Sequence, residues 1–230
     1  MKVAIMQSNY IPWKGYFDLI NQVDIFCFLD NVQYTKNDWR NRNKIKTKNG
    51  LKWLTIPCGT NIKRLICDIK LDDHSWQKKH WEQIKENYSK APYFKEKKDF
   101  FENFYLNNNW KYLSESNQYL IKNIAKDQLG ITNTIFTDSR DYNLKKSKGE
   151  RVIELLNKIG ATEYISGPAA ISYIDVELFK KEDIHVKWMN YLDYPEYSQQ
   201  HPPFEHGVSI LDLIFNEGKN ASKFMNSFNQ

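Results

Sequence analysis

Cysteine is scarce in this chain: Cys27, Cys58 and Cys67 are the only three, and no two form a Cys-x-x-Cys pair. An odd number without that spacing argues against a disulfide framework or a zinc cluster, and for reduced, mostly buried thiols. The five histidines, His74, His80, His185, His201 and His206, show no His-x-His or His-Glu-x-x-His spacing, so no metal site is expected. Apolar runs such as Ile25 to Leu29 fall far short of the ~20 residues that span a bilayer. There is no Gly-x-Ser-x-Gly elbow and no activated-cysteine signature. No internal repeat or low-complexity tract is visible.

What the chain does have is a globular composition. Hydrophobic residues make up 41% and the aromatics number 7 Trp, 14 Tyr and 13 Phe, which excludes a disordered chain. Its 230 residues suit one domain or a compact domain carrying an insertion. The net charge of +5 is set among 33 basic and 28 acidic residues and suits a polyanionic small substrate about as well as nucleic acid. At the start, polar Gln7, Ser8 and Asn9 arrive too early for a signal-peptide apolar region. The first residues therefore read as a strand of the mature fold, and a cytoplasmic protein is expected.

Val3 to Met6, the loop Gln7 to Gly15, the amphipathic Tyr16 to Gln22 and the apolar Ile25 to Leu29 read as strand, loop, helix, strand. That is the opening unit of a parallel sheet. Lys52 to Ile56 and Ile66 to Leu71 then read as a hairpin across Pro57, Gly59 and Asn61. Three helices follow: one capped by Ser75 and stopping near Ala91-Pro92, one over Tyr93 to Tyr105, and one from Trp110 to Leu129 closed by Gly130. Beyond Gly130 the alternation returns, with strands at Thr134 to Thr137, Glu163 to Ile165 and His185 to Met189. Helices are read at Gly149 to Ile159, Val176 to Lys181 and Val208 to Phe215. The expectation is an α/β fold: a Rossmann-like, mostly parallel sheet (residues 1–50 and 130–230) flanked by helices, with a β-hairpin and helical insertion or lid over 51–129.

Ligands of such sheets bind at the carboxyl ends of the strands. The first loop, carrying Gln7, Tyr10, Trp13, Lys14, Gly15 and Tyr16, leaves such an end. Its helix start and Lys14 suit a phosphate, against the alternative of a tight turn with no ligand. Class I nucleotidylyltransferases place a His-x-Gly-His signature here, of which only the glycine is present, so adenylyl transfer is weakened and nucleotide binding is not. The second loop holds Asp30, Gln33 and Tyr34, then Trp39, Asn41, Arg42 and Asn43. Arg42 offers a planar fork to phosphate or carboxylate, the asparagines suit sugar hydroxyls or a base edge, and Asp30 suits a general base or a ribose acceptor. An Asx turn in a solvated basic loop is the alternative.

Ser166 and Gly167 precede Pro168 at another helix start on the same edge. Lys145-Lys-Ser-Lys-Gly149 has the form of a mobile synthetase loop, but Ser147 and Glu150 also fit a capping box, and the structural reading is preferred. His80, flanked by Trp76 and Trp81, is a candidate base or an interfacial histidine. His206, in the Pro-rich loop before the last helix, is a candidate general base for acyl transfer to an amine.

Taken together, MKVAIMQSNYIPWKGYFDLI, FLDNVQY, WRNRNKI, YISGPAA and SILDLIFNEG resemble the WbqC-like family nearly end to end and in order. The central helices match chiefly through Trp76, Tyr88 and Ala91-Pro92-Tyr93-Phe94. Members are typically encoded in bacterial gene clusters for O-antigens and other surface glycans. The resemblance implies a cytoplasmic transferase that forms an amide on a nucleotide-linked amino sugar. It leaves the donor open among acyl-CoA, aminoacyl-tRNA, and a free acid with ATP. Because the amine belongs to the substrate, no nucleophile motif is required of the protein. Two alternatives stand beside it: an ATP-dependent nucleotidylyltransferase or ligase of the class I synthetase-like type, and a non-catalytic nucleotide- or glycan-binding module using its tyrosines and tryptophans as stacking surfaces. Neither membrane insertion nor sequence-specific nucleic-acid recognition is expected, and the central helices either close over a ligand or mediate a homodimer.

Overall fold

The computed structural model of the protein describes residues 1–228. Its centre is a sheet of five parallel strands, β1 (Lys2–Met6), β2 (Ile25–Phe28), β5 (Ile135–Asp138), β6 (Glu163–Ser166) and β7 (His185–Trp188), in the order β5-β2-β1-β6-β7. Counting these core strands alone, the order is 3-2-1-4-5, that of a Rossmann half-fold extended by two strands.

The runs carry no polar alternation because both faces are covered. Ala4, Phe26, Phe28 and Ile165 enter one apolar cluster, whereas Val3, Ile5, Cys27, Tyr164 and Val186 enter a second. The first cluster is completed by α1 (Lys14–Asn21) and α7 (Ile210–Glu217), the second by α5 (Lys148–Ile159) and α6 (Val176–Lys180). Helices therefore lie on both faces, and the chain changes direction between β1 and β6.

The central helices α2 (Ser75–Tyr88), α3 (Phe94–Leu106) and α4 (Leu113–Asn123) do not stand off the sheet as a lid. Trp81, Tyr88, Phe101, Phe104, Leu120 and Ile121 are buried in the first cluster with Phe28 and Phe215. A π-helical segment, Ile124–Gln128, extends α4 to Leu129, and Gly130 follows at φ +72°. Among the described residues no helix is long and apolar enough to cross a membrane.

The hairpin differs from expectation. It is formed by β3 (Arg42–Thr47) and β4 (Gly50–Thr55), with Lys44 opposite Trp53, and the segment Ile66 to Leu71 contributes only a single 3-10 turn, Ile66–Asp68. The N–H groups of Ile66 and Cys67 donate instead to the carbonyls of Val32 and Asp30, at 3.0 and 2.9 Å, pinning this segment to the loop that leaves β2. Two helix starts differ as well. Asp73, not Ser75, opens α2 by accepting the Ser75 N–H at 2.8 Å. The expected capping box of α5 does not form; Glu154, one turn further in, accepts the N–H groups of Lys145 and Lys146 at 2.9 and 2.8 Å.

Candidate functional site

The carboxyl ends of β1 and β6 part where the chain changes direction, and a cavity of about 530 Å³ opens there, lined by Met6, Gln7, Gly149, Ser166, Gly167 and Tyr173 among others. Strands on either side of such a point send their connections to opposite faces, which leaves a crevice no helix fills. Gln7, Ser166 and Gly167, read from the sequence on one edge of the sheet, line this same cavity.

From Gln7 the first loop is clamped. The Ser8 N–H donates to Asp30 at 2.8 Å and the Tyr10 N–H to the Trp39 carbonyl at 2.9 Å. Asn43 donates from Nδ2 to the carbonyls of Tyr10 and Ile11, at 3.1 and 2.9 Å. Ile11 holds φ at +36°, a left-handed conformation that is strained for a β-branched residue and persists only where surroundings over-determine it. The clamp turns the chain so that Asn9, Pro12 and Trp13, with Trp39, Asn43 and Gly207, wall a second cavity of about 300 Å³.

One guanidinium joins the two cavities. Arg40 donates to Asn9 Oδ1 at 2.5 Å and to Gln7 Oε1 at 3.2 Å, so it bridges a residue of the smaller cavity and a residue of the larger. Its nearest carboxylate, Asp38, lies 3.9 Å away. The sequence reading placed this fork at Arg42, but the Arg42 guanidinium stacks on Trp53, 4.2 Å from the ring centre. The two arginines are separated by one residue: Arg42 opens β3, whereas Arg40 lies in the turn before it.

The helix start behaves differently from a phosphate cradle. The Trp13 indole lies over Gly15 so closely that a Cβ there would overlap it, and Lys14, Gly15 and Tyr16 are all buried. Lys14 points inward, its ammonium 3.2 Å from the Pro195 carbonyl and above the rings of Tyr194 and Tyr197. Burial lowers its pKa to about 8. The Tyr16 hydroxyl donates to the Gln7 carbonyl at 2.9 Å, fixing the exit from β1.

Several candidates are interior. Tyr10 is fully buried, with its hydroxyl 2.7 Å from His80 Nδ1 and 2.6 Å from the Tyr105 hydroxyl. Burial lowers the His80 pKa to about 4, so the ring is a neutral member of the core and not a base at a lid. Asp30 is also fully buried; it accepts from Ser8 N–H and, at 2.8 Å, from Gln118, whose same nitrogen reaches Asp138 at 2.9 Å. Burial raises its pKa, and neither a substrate amine nor a ribose reaches it. Tyr34 is buried beside Cys58, Asn41 donates to the Ile56 carbonyl at 2.9 Å, and exposed Gln33 pairs with Leu65 at an isolated bridge.

His206 is exposed and precedes Gly207, which lines the smaller cavity; its ring centre lies 4.7 Å from that of Phe204. Partial burial and the nearby Lys14 charge lower its pKa, which leaves a neutral imidazole at pH 7.

Sequence reasoning missed Arg40, Asn9 and Gly207. Their only signal was adjacency to Trp39, to the first loop and to His206.

A model of the WbqC-like protein family matches residues 7–224, which include Arg40, every residue lining the smaller cavity and most of those lining the larger. The chain is 45% identical over 226 residues to the uncharacterized protein Rv1507c of Mycobacterium tuberculosis, covering 97% of each. No solved structure matches it. With the match running from the end of β1 through the hairpin and α7, this chain belongs to the WbqC-like protein family.

Proposed function

We propose that the protein is a transferase that forms an amide on the amino group of a nucleotide-linked sugar. The observation that carries this reading is the bridge of Arg40 between Gln7 and Asn9, a cation set between two cavities. A sugar nucleotide has this layout: a nucleoside, a dianionic diphosphate and a sugar in series. The nucleoside takes the larger cavity at the strand ends, where nucleotides bind in sheets of this order. The diphosphate meets the Arg40 fork, which accommodates phosphate oxygens in pairs. The sugar enters the smaller cavity against Trp13 and Trp39.

The chemistry is then modest. The neutral amine attacks the carbonyl carbon of an activated acyl group; the C–N bond forms, the bond to the leaving oxygen or sulfur breaks, and His206 takes the amine proton and returns it to the leaving group. A base with a pKa near the working pH contributes about 10² to 10⁴ in rate. His206, kept neutral by partial burial and by Lys14, suits that task.

The test is a thermal-shift panel of ATP, coenzyme A, and UDP-, dTDP- and GDP-linked amino sugars. A ligand at about 100 times its Kd adds ~2.7 kcal/mol, or roughly 2 to 4 °C for a chain of this size. A shift with one sugar nucleotide and none with ATP is the expected result. A shift with ATP alone overturns it in favour of the ATP-dependent class.

A further inference from the structure

The charge of this protein is concentrated. Between Lys36 and Arg64 there are nine Lys or Arg against the single Asp38, a local charge of +8, so that with a total of +5 the rest of the chain carries −3. Most of the excess lies on or beside the β3–β4 hairpin. Asn43, Ile45 and Leu54 turn one hairpin face into the core, and the other face presents Arg42, Lys44, Leu51 and Trp53. Among the described residues no carboxylate pairs with Lys36, Arg42, Lys44, Lys48, Lys52 or Lys63 within 4.0 Å.

Aromatic rings are set into this basic face. Trp53 is 39% exposed and Trp39 42% exposed; their ring centres are 5.5 Å apart, with the Arg42 guanidinium and Lys44 ammonium over Trp53 at 4.2 and 5.1 Å. Trp39 also walls the smaller cavity, so the row Lys44, Trp53, Trp39 leads from the hairpin into the site. Cations tracking a backbone with rings between them for successive bases is how proteins hold single-stranded nucleic acid without reading its sequence. A small anionic substrate in the smaller cavity would meet Trp39 but would need only one or two of these cations and not the Trp53 indole beyond it.

We propose that this hairpin face binds the single-stranded 3′ end of an RNA, and that the acyl donor is an aminoacyl ester on that end. The proposal rests on the transferase reading above and names its donor. The terminal base stacks on Trp53, the phosphates lie along Arg42, Lys44 and Lys48, and the ester passes Trp39 into the smaller cavity. There the sugar amine attacks the ester carbonyl; the C–N bond forms, the C–O bond breaks, and the ribose hydroxyl leaves with the proton relayed by His206.

The experiment is fluorescence polarisation with a labelled single-stranded RNA ending in CCA, and with deacylated tRNA, across a salt series, beside anionic phosphatidylglycerol vesicles and duplex DNA. Binding is expected with log affinity falling against log salt at a slope of about −3 if four phosphates are engaged. Lys44→Glu combined with Lys48→Glu should weaken binding at least tenfold and flatten that slope. Trp53→Ala should weaken it by about tenfold or more at unchanged slope, and Trp53→Phe should restore most of the loss.

Absence of RNA binding overturns the proposal, and so does binding to vesicles in its place, or equal binding to duplex DNA that Trp53→Ala leaves untouched. The sugar-nucleotide thermal shift on the same samples separates the two readings. A shift without RNA binding overturns this proposal alone, and RNA binding without any sugar-nucleotide shift overturns the transferase reading while the RNA surface stands.

Discussion

The hydroxyl of Tyr10 lies 2.7 Å from Nδ1 of His80, joining the first loop to a helix 70 residues further along the chain. The His80 ring has the Thr55 backbone as its other partner. Neutral, it donates to that carbonyl and accepts the Tyr10 proton. A protonated ring has no acceptor role to offer Tyr10 and bears a charge in a dry core.

Acid stability follows from this pair. The folded pKa of His80, about 4, lies below the unfolded value near 6.5, so between those values the unfolded state binds more protons and stability rises with pH. Acidifying from about pH 6.5 to 4 should remove about 3 kcal/mol on this account. Urea melts across that window should show the slope in the native protein and a smaller one in His80→Gln.

Buried Asp30 makes a prediction of opposite pH dependence. Gln118 holds the ionised carboxylate, and its bond lowers a pKa that burial raises. Gln118→Leu removes that donor and should cost about 1 to 3 kcal/mol at pH 7. The loss should shrink as pH falls through the raised folded pKa, because a protonated carboxyl no longer needs the donor. Denaturation midpoints at pH 7 and pH 4 check it.

Gly15→Ala should disturb the smaller cavity without touching a ligand. The added methyl meets the Trp13 indole, which must leave its place against Tyr191 and Tyr194. A loss of about 1 to 3 kcal/mol in stability is expected, with a change in Trp fluorescence reporting the displaced ring.

The two arginines of the Trp-Arg-Asn-Arg stretch should separate in function. Arg40→Ala should weaken sugar-nucleotide binding at least tenfold, and Arg40→Lys should recover only part of it, since an ammonium does not bridge Gln7 and Asn9 as a fork does. Arg42→Ala should leave that binding near native. Calorimetric titration with the nucleotide from the thermal-shift panel measures both.

His206→Gln should lower kcat by about 10² or more with little change in KM, if the imidazole carries the proton. Because its folded pKa is lowered, the acid limb of the native rate should lie at lower pH than for a free imidazole, and the variant should lose that limb. A kcat/KM profile against pH decides it.

Much of the fold was legible in the chain because its evidence is local. Runs such as Ile25 to Phe28 are apolar throughout since both faces of their strand are covered, and Gly160, at φ +81°, ends a helix where a side chain would strain. The hairpin was misplaced because β3 alternates lysines with a single aliphatic residue, Ile45, so its periodicity was carried by charge and resembled a solvated loop. Of the residues read as a site, Gln7, Ser166 and Gly167 line the larger cavity and Trp13, Trp39 and Asn43 the smaller. Asp30, Tyr10 and His80 were drawn from the same stretches but are core.

What the sequence by itself determined is the alternation of strand and helix, since hydrophobic period and helix-ending glycines act within a few residues. Only the tertiary structure decided the strand order, the pairing of Gln7 with Gly167 across the crevice, and which arginine bridges the two cavities. Loop closure depends only weakly on length, so a chain's local pattern barely restricts which strands become neighbours. A side chain's direction, in turn, is set by the element that carries it: Arg42 lies in β3 and stacks on Trp53 across the hairpin, whereas Arg40 lies in the turn before it and reaches Gln7 and Asn9.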